Sequence, residues 1–175
     1  MKTRSLAATL SLVIVPSLAS AQGAPVAKAF REFAVEEAKH LIAAAETMPA
    51  DKYTYKPTPA QMSFGDIINH LARGNDFLCG AIGGAKAPAR SNVGPSDGKD
   101  ALVARLKETF AFCDQALANL DDSKLAEEST IFGKTMSRAA LETLTVGDWA
   151  DHYSQLAIYL RINGQLPPTA KKPGA

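Results

Sequence analysis

The sequence predicts an all-α fold, a four-helix bundle with a long crossover between helices 2 and 3. Four segments repeat apolar residues at spacings of three and four, the pattern of a helix with one buried face. No segment sustains the two-residue alternation of a half-buried strand, so no strand is predicted. The connection at residues 85–98 is rich in Pro, Gly, Ser and Ala. A loop of this length suggests a crossover rather than a tight hairpin.

The first two predicted helices have clear end signals. Helix 1 covers residues 25–48 and stops before a proline-containing connector. Ser63 is predicted to cap helix 2, with Asp66 three residues later as an acidic variant of the capping box. The pair Gly83-Gly84 ends this helix.

Helix 3 is predicted to open at Ser96 or Asp97 and to run to about Leu120. Residues 121–138 lack a regular pattern, and at most a short helical turn is expected there. Thr145 is predicted to cap helix 4, which ends near Asn163-Gly164 with a left-handed stop.

The N-terminus is predicted to be an export signal. Lys2 and Arg4 precede a short apolar run at residues 6–18, and a small-residue site ends at Ala21. The predicted organisation is a signal peptide at 1–21, a bundle domain at 22–168 and a flexible tail at 169–175. The mature protein would be periplasmic or secreted and would not span a membrane. An uncleaved N-terminal anchor is the alternative.

Charge and cysteine content limit the function classes. Removal of Lys2 and Arg4 with the signal leaves 17 basic against 18 acidic residues, a net charge of −1. This balance does not favour nucleic acid as a partner. Two cysteines, Cys79 and Cys113, suggest one disulfide in an oxidising compartment, and two separate buried thiols are the alternative.

A carboxylate and an imidazole share one face of helix 4. Asp148 precedes His152 by four residues, just over one helical turn. If His70 of helix 2 met them, the three side chains could hold a metal ion with open positions. Two of them also have a structural interpretation: Asp148 could complement the helix dipole in a first turn, and His70 could be a hydrogen-bonded structural group. The third histidine, His40, is explained by an ion pair with a neighbouring glutamate and is a weak candidate for a pocket role.

Three sequence blocks resemble the DinB/YfiT-like family of four-helix proteins. They are MPADKYTYKPTP at 48–59, SFGD leading to NHLA at 63–72, and HYSQL followed by YLR, NG and PP at 152–168. The resemblance covers nearly the whole mature chain. It implies the helix 2–helix 3 crossover and a divalent metal, often nickel or zinc, held by three histidines. His70 matches the first ligand and His152 the last, whereas Asp148 stands where the family pattern has histidine.

The crossover implied by the resemblance also pairs the cysteines. Cys79 lies 16 residues after Ser63 and Cys113 lies 15 after Gly98, so in parallel helices they are at nearly the same height. In an antiparallel pair they would be roughly 15 Å out of step, beyond the ~7 Å reach of a disulfide.

Two functions remain open from the sequence. Some relatives are thiol-dependent transferases or isomerases, so the resemblance implies a metal-dependent enzyme of the transferase or hydrolase type, acting on a small molecule that the sequence does not specify. The alternative is a non-catalytic exported binding or stress-related protein with a degenerate metal site. A homodimer is compatible with either function, and no catalytic residue beyond the ligands is assigned.

Overall fold

The structure, a computed structural model, describes residues 24–170. Four helices account for most of this chain: α1 (Pro25–Thr47), α2 (Phe64–Gly83), α3 (Gly98–Leu117) and α4 (Arg138–Ile162). Two short strands, β1 (Glu128–Ile131) and β2 (Lys134–Ser137), precede α4. The predicted signal peptide lies outside the described residues, as does the end of the predicted tail.

The long loop is a crossover, as the sequence predicted. Residue numbers rise together along α2 and α3: Asn75 contacts Thr109, and Cys79 lies opposite Cys113. These two helices therefore run parallel. Along α4 the numbers run the other way, since Asn75 contacts Trp149 and the earlier Met62 contacts Tyr159. Helix α4 is thus antiparallel to α2.

The predicted disulfide joins α2 to α3. The Cα atoms of Cys79 and Cys113 are 5.1 Å apart, and the sulfur atoms are bonded. Both residues are buried in the core. The alternative of two separate thiols is therefore wrong. The disulfide links two residues 34 positions apart, and the crossover lies between them.

The helix ends of α2 follow the sequence signals. The Ser63 hydroxyl accepts from the Asp66 backbone N–H at 3.1 Å, and the Asp66 carboxylate accepts from the Ser63 N–H at 2.9 Å. This is the predicted capping box. At the other end Gly84 has a φ of 67°, the left-handed conformation that a glycine adopts without strain.

Helix α4 begins earlier than predicted. Ser137, rather than Thr145, is its cap, and the Ser137 hydroxyl accepts from the Ala140 N–H at 3.2 Å. Thr145 is buried in the helix interior, where its hydroxyl donates to the Leu141 carbonyl at 2.7 Å. Asp148 therefore lies ten residues into the helix, and the helix-dipole interpretation of this carboxylate is wrong.

The expectation of no strand is also wrong, because residues 128–137 form an antiparallel hairpin. Ile131 pairs with Lys134 across a two-residue turn of Phe132 and Gly133, which have φ values of 52° and 73°. Such positive angles at both turn residues match the twist of short hairpins. The strands are four residues each and mostly exposed, so they left little periodic signal.

A buried aromatic group fills the centre of the bundle. Trp149 is fully buried, and its ring lies 6.1 Å from that of Phe30 in α1 and 5.7 Å from that of Phe110 in α3. The chain remains packed beyond α4, since the backbone of Thr169 donates to the Tyr153 hydroxyl at 3.0 Å. Within residues 24–170, none of the helices has the length and hydropathy of a membrane span.

Candidate metal centre

Helices α2 and α4 bring together the three candidate ligands that the sequence singled out. His70 lies on the face of α2 that contacts α4, and Asp148 and His152 lie one turn apart on α4. One potential ligand atom from each residue lies within 4.8 Å of the other two. His152 is buried, Asp148 is partly buried and His70 is half-exposed, so the cluster opens to solvent on the α2 side.

The distances within the cluster fit a shared ion. Oδ1 of Asp148 lies 3.6 Å from Nε2 of His70 and 3.4 Å from Nε2 of His152. Charge-assisted hydrogen bonds are shorter, about 2.7–2.9 Å. Two atoms that each lie ~2.1 Å from one tetrahedral ion are about 3.4 Å apart. The donor set and its spacing therefore fit a divalent metal.

One nitrogen does not conform to the usual pattern. Nδ1 of His152 is buried and has no hydrogen-bond partner among the described residues. Metal-ligating histidines normally donate from their second nitrogen to a carboxylate or a carbonyl. Within residues 24–170 His152 has no such support, so this ligand is less firmly oriented than the usual metal-ligating histidine.

The charges of the cluster stabilise one another. Burial acts to raise the pKa of Asp148, but the two imidazoles beside it outweigh burial and hold that pKa below its ordinary value. Burial acts to lower the pKa of His152, and the Asp148 carboxylate outweighs it and raises that pKa. Asp148 is therefore ionised at neutral pH, the form that a metal ligand requires.

A buried hydrogen-bond network holds α2 and α4 in register beside the cluster. The indole N–H of Trp149 donates to the Asn75 side-chain oxygen at 2.8 Å, and the Asn75 amide donates to the Thr109 hydroxyl at 3.3 Å. Asn75 follows His70 by five residues, and Trp149 follows Asp148 directly. This network therefore limits the movement of α2 relative to α4, the two helices that carry the candidate ligands.

The cluster lies at the edge of an open cavity of about 680 Å³. Residues from one face of α2 line most of it, and the rest comes from Met62 just before α2 and from the tip of the hairpin. The lining residues are Met62, Asp66, Asn69, His70, Arg73, Gly74, Phe77 and Phe132. His70 thus belongs to the cluster and also lines the cavity, where a small molecule can reach it.

A family model described as the DinB superfamily matches residues 26–156. This chain belongs to the DinB superfamily. The matched region contains all three candidate ligands and the whole of helices α2 and α3. A comparison with curated proteins gave no match.

Solved structures of DinB-like proteins share the fold. A DinB-like protein from Bacillus subtilis (yjoa) is 20% identical, with a TM-score of 0.63 over 82% of this chain and 99% of that one. A DinB-like protein from Bacillus cereus is 14% identical, with a TM-score of 0.68 over 81% and 95%. A conserved protein from Enterococcus faecalis is 14% identical, with a TM-score of 0.60 over 77% and 94%. At these identities the likeness concerns the DinB fold.

Sequence reasoning missed several residues around the His70–Asp148–His152 cluster. Asn75 occupies an apolar-stripe position of α2, and a polar residue there was a usable signal. Arg73 and Phe77 follow His70 by three and seven residues, which places them on the same helical face. Phe132 carried no signal, because the hairpin was not predicted. His40 is not part of the cluster: its Nδ1 lies 3.7 Å from Glu37 and its ring packs against Tyr153.

Proposed function

We propose that this protein is an exported, divalent-metal-binding member of the DinB superfamily, with His70, Asp148 and His152 as protein ligands. The observation that carries the proposal is the convergence of three ligand atoms within 4.8 Å at the edge of an open cavity. Three protein ligands that leave positions open are typical of catalytic rather than closed structural sites.

Zinc and nickel are the metals that we propose, because the family resemblance implies them and this donor set accepts both. Two imidazoles with one carboxylate are a common set for zinc, nickel or iron. Asp148 is a harder ligand than the histidine of the family pattern and carries a charge. Replacing it with histidine should therefore increase affinity for nickel or zinc.

The proposed reaction class is transfer or hydrolysis. When bound, a divalent ion makes a water or thiol nucleophilic at neutral pH. His152 and Asp148 would hold the ion from the buried side, and half-exposed His70, which borders the cavity, would hold it from the open side. The substrate would approach from the cavity, because His70 is half-exposed and lines it, whereas His152 is buried.

Export is supported by the disulfide between Cys79 and Cys113, since structural disulfides are typical of oxidising compartments. We propose cleavage after Ala21 and a periplasmic or secreted location. An intact mass of the protein purified from its natural compartment tests this proposal. A mass that starts at Gln22 is expected, and a mass that includes residues 1–21 would contradict it.

Metal binding is tested by calorimetric titration. Tag-free mature protein with its disulfide intact is dialysed against a chelator and titrated with Zn²⁺ and with Ni²⁺. Wild type should bind one ion, and His152→Ala should weaken binding by at least about 100-fold, more than is typical for loss of a supporting residue. His40→Ala is the matched control and should bind as wild type does.

Asp148→His separates a substitute ligand from a lost one. Tighter binding than wild type supports Asp148 as a working ligand of lower affinity. Binding by this variant alone would mean that the site is degenerate. Binding by neither protein would mean that the three residues do not form a site.

The reaction class requires its own assay on zinc-loaded protein. Hydrolysis of 4-nitrophenyl acetate and transfer of a small thiol to 1-chloro-2,4-dinitrobenzene are compared between wild type and His152→Ala. Turnover that disappears in the variant supports an enzyme. Equal rates would leave only the binding function.

The second candidate is a non-catalytic exported protein with a degenerate site. Two observations favour it: Asp148 replaces the expected histidine, and Nδ1 of His152 has no supporting partner in the part of the chain that the structure describes. In that case the cluster is an ion-pair network that joins α2 to α4.

A further inference from the structure

We propose that the cavity beside His70 binds a small aromatic anion, held by Arg73 and by the ring pair Phe77–Phe132. The idea rests on the proposed function for the reacting group at His70, and it adds the substrate class. Three independent features of the cavity support it: its charge, its aromatic wall and its open floor.

Arg73 supplies an uncompensated positive charge. In the described part of the chain it forms no ion pair and no side-chain hydrogen bond, although it lies on the cavity wall. Its near neighbour Asp76 is already held by Arg90 in a two-point contact of 2.7 and 2.9 Å. Asp66, the acidic residue that lines this cavity, accepts hydrogen bonds from Ser63 in the capping box. Asp148, near Gly74, faces His70 and His152. An anionic group in the cavity would therefore meet Arg73 while the nearby carboxylates are engaged by other residues.

The aromatic wall is built at a cost to the hairpin. Phe132 is 74% exposed and has a φ of 52°, a conformation that suits Asn or Gly and strains a bulky residue. Its ring lies 5.0 Å from the ring of Phe77, itself 46% exposed. A strained residue that is also exposed and apolar is poorly explained by folding alone. Both rings present faces on which a planar group can pack.

The floor of the cavity is left open by a glycine. Gly74 lies in the interior of α2, where glycine disfavours a helix. A Cβ at this position would meet only the Asp148 carboxylate, at 3.9 Å. A longer side chain would fill the space between Arg73 and the cluster of His70, Asp148 and His152.

The placement of these groups gives the ligand a length. Phe77 and His70 are seven residues apart on one helix face, about 10 Å along the axis. A ligand with its ring at the Phe77–Phe132 pair and its anion at Arg73 would extend its remaining part to His70. An aryl carboxylate would place its ring against Phe77 and Phe132 and its anion at Arg73.

The test uses 2-naphthoate and its uncharged analogue 2-naphthamide as probes. Binding to the full mature protein is followed by ligand-observed NMR, after chelator treatment and again after zinc loading. Wild type should bind naphthoate at least about tenfold more tightly than naphthamide, a difference that one charged contact can supply. Arg73→Gln should remove this preference, and Lys134→Gln on the hairpin, outside the cavity wall, should keep it.

Phe132→Asn separates a binding role from a structural one. Asparagine suits the turn, so the melting temperature should stay equal or rise while affinity for both probes falls at least about fivefold. Ile158→Ala, which removes exposed apolar surface on α4 away from the cavity, should change neither. A lower melting temperature with unchanged binding would show that Phe132 only anchors the hairpin, and the inference would be overturned.

The chelator-treated arm separates this inference from the metal proposal. If zinc does not bind but naphthoate still binds through Arg73, only the metal proposal fails. If zinc binds at His152 but naphthoate does not bind, or binds without regard to Arg73 and Phe132, only the anion site fails.

Discussion

The two sides of α2 are built in opposite ways. Toward α3 the helix is closely packed and largely apolar apart from the Asn75–Thr109 hydrogen bond. It carries the disulfide Cys79–Cys113 on this side, and Gly83 lies against the backbone of Ala116. Toward α4 it presents His70 and Gly74 to a carboxylate, and a cavity opens beside them. One side therefore supplies stability and the other places polar groups where a ligand can reach them. This division is common where a rigid scaffold supports a site.

The strongest test of this comparison is removal of the disulfide. Cys79→Ala with Cys113→Ala frees a connection of 34 residues, and the free energy of unfolding should fall by about 3–4 kcal/mol. Urea unfolding measures the change. Zinc affinity, which depends on the other side of α2, should remain within about threefold for the fraction that stays folded. A parallel loss of zinc affinity would show that the two sides are not independent.

Gly83→Ala tests the close approach of α2 and α3. A Cβ at Gly83 would overlap the carbonyl oxygen of Ala116, which is backbone and cannot rotate away. The helices must separate locally, and we expect a loss of about 2–3 kcal/mol in the free energy of unfolding. Thermal and urea unfolding both report it, and a neutral result would mean that the α2–α3 contact is looser than described.

A buried carboxyl group of α4, that of Glu142, lies outside the cluster and is expected to lower the free energy of unfolding when it is ionised. Burial, with some help from Asp122 and against Arg31, raises the pKa of Glu142 from 4.5 to about 7. The pKa of Glu142 is higher in the folded protein than in the unfolded chain. The contribution of this residue to the free energy of unfolding is therefore fully present below pH 4.5 and is lost as the pH rises through 7. Glu142→Gln should therefore be more stable than wild type by about 1–3 kcal/mol at pH 8, and this gain should shrink toward pH 4.5. A gain independent of pH would refute the titration of Glu142.

The smallest expected effect has the opposite sign to that of Gly83. Gly74→Ala should stabilise the protein by about 0.5–1 kcal/mol, because alanine favours the helix and its Cβ makes only an ordinary contact. Gly147→Ala on exposed α4, where nothing lies within 4 Å of the added Cβ, is the matched control and should gain a similar amount. If Gly74→Ala destabilises while Gly147→Ala stabilises, the α4 side of α2 is as tightly packed as the α3 side.

The sequence by itself determined the helices with strong periodicity and clear caps. The Ser63–Asp66 capping box and the Gly83-Gly84 stop are local chemistry, and both were predicted. The pairing of Cys79 with Cys113 followed once the family resemblance set α2 parallel to α3. The grouping of His70, Asp148 and His152 was also predicted, because Asp148 and His152 share a face by spacing and the resemblance supplied His70.

Only the tertiary structure decided the start of α4, the hairpin and the cavity. Thr145 resembles a cap in sequence, but its hydroxyl can bond within a helix, and packing against the core extends α4 back to Ser137. The contact of Phe132 with Phe77 joins residues 55 positions apart, and no local pattern encodes it. Helix ends follow from neighbouring residues, whereas a cavity depends on how distant elements pack.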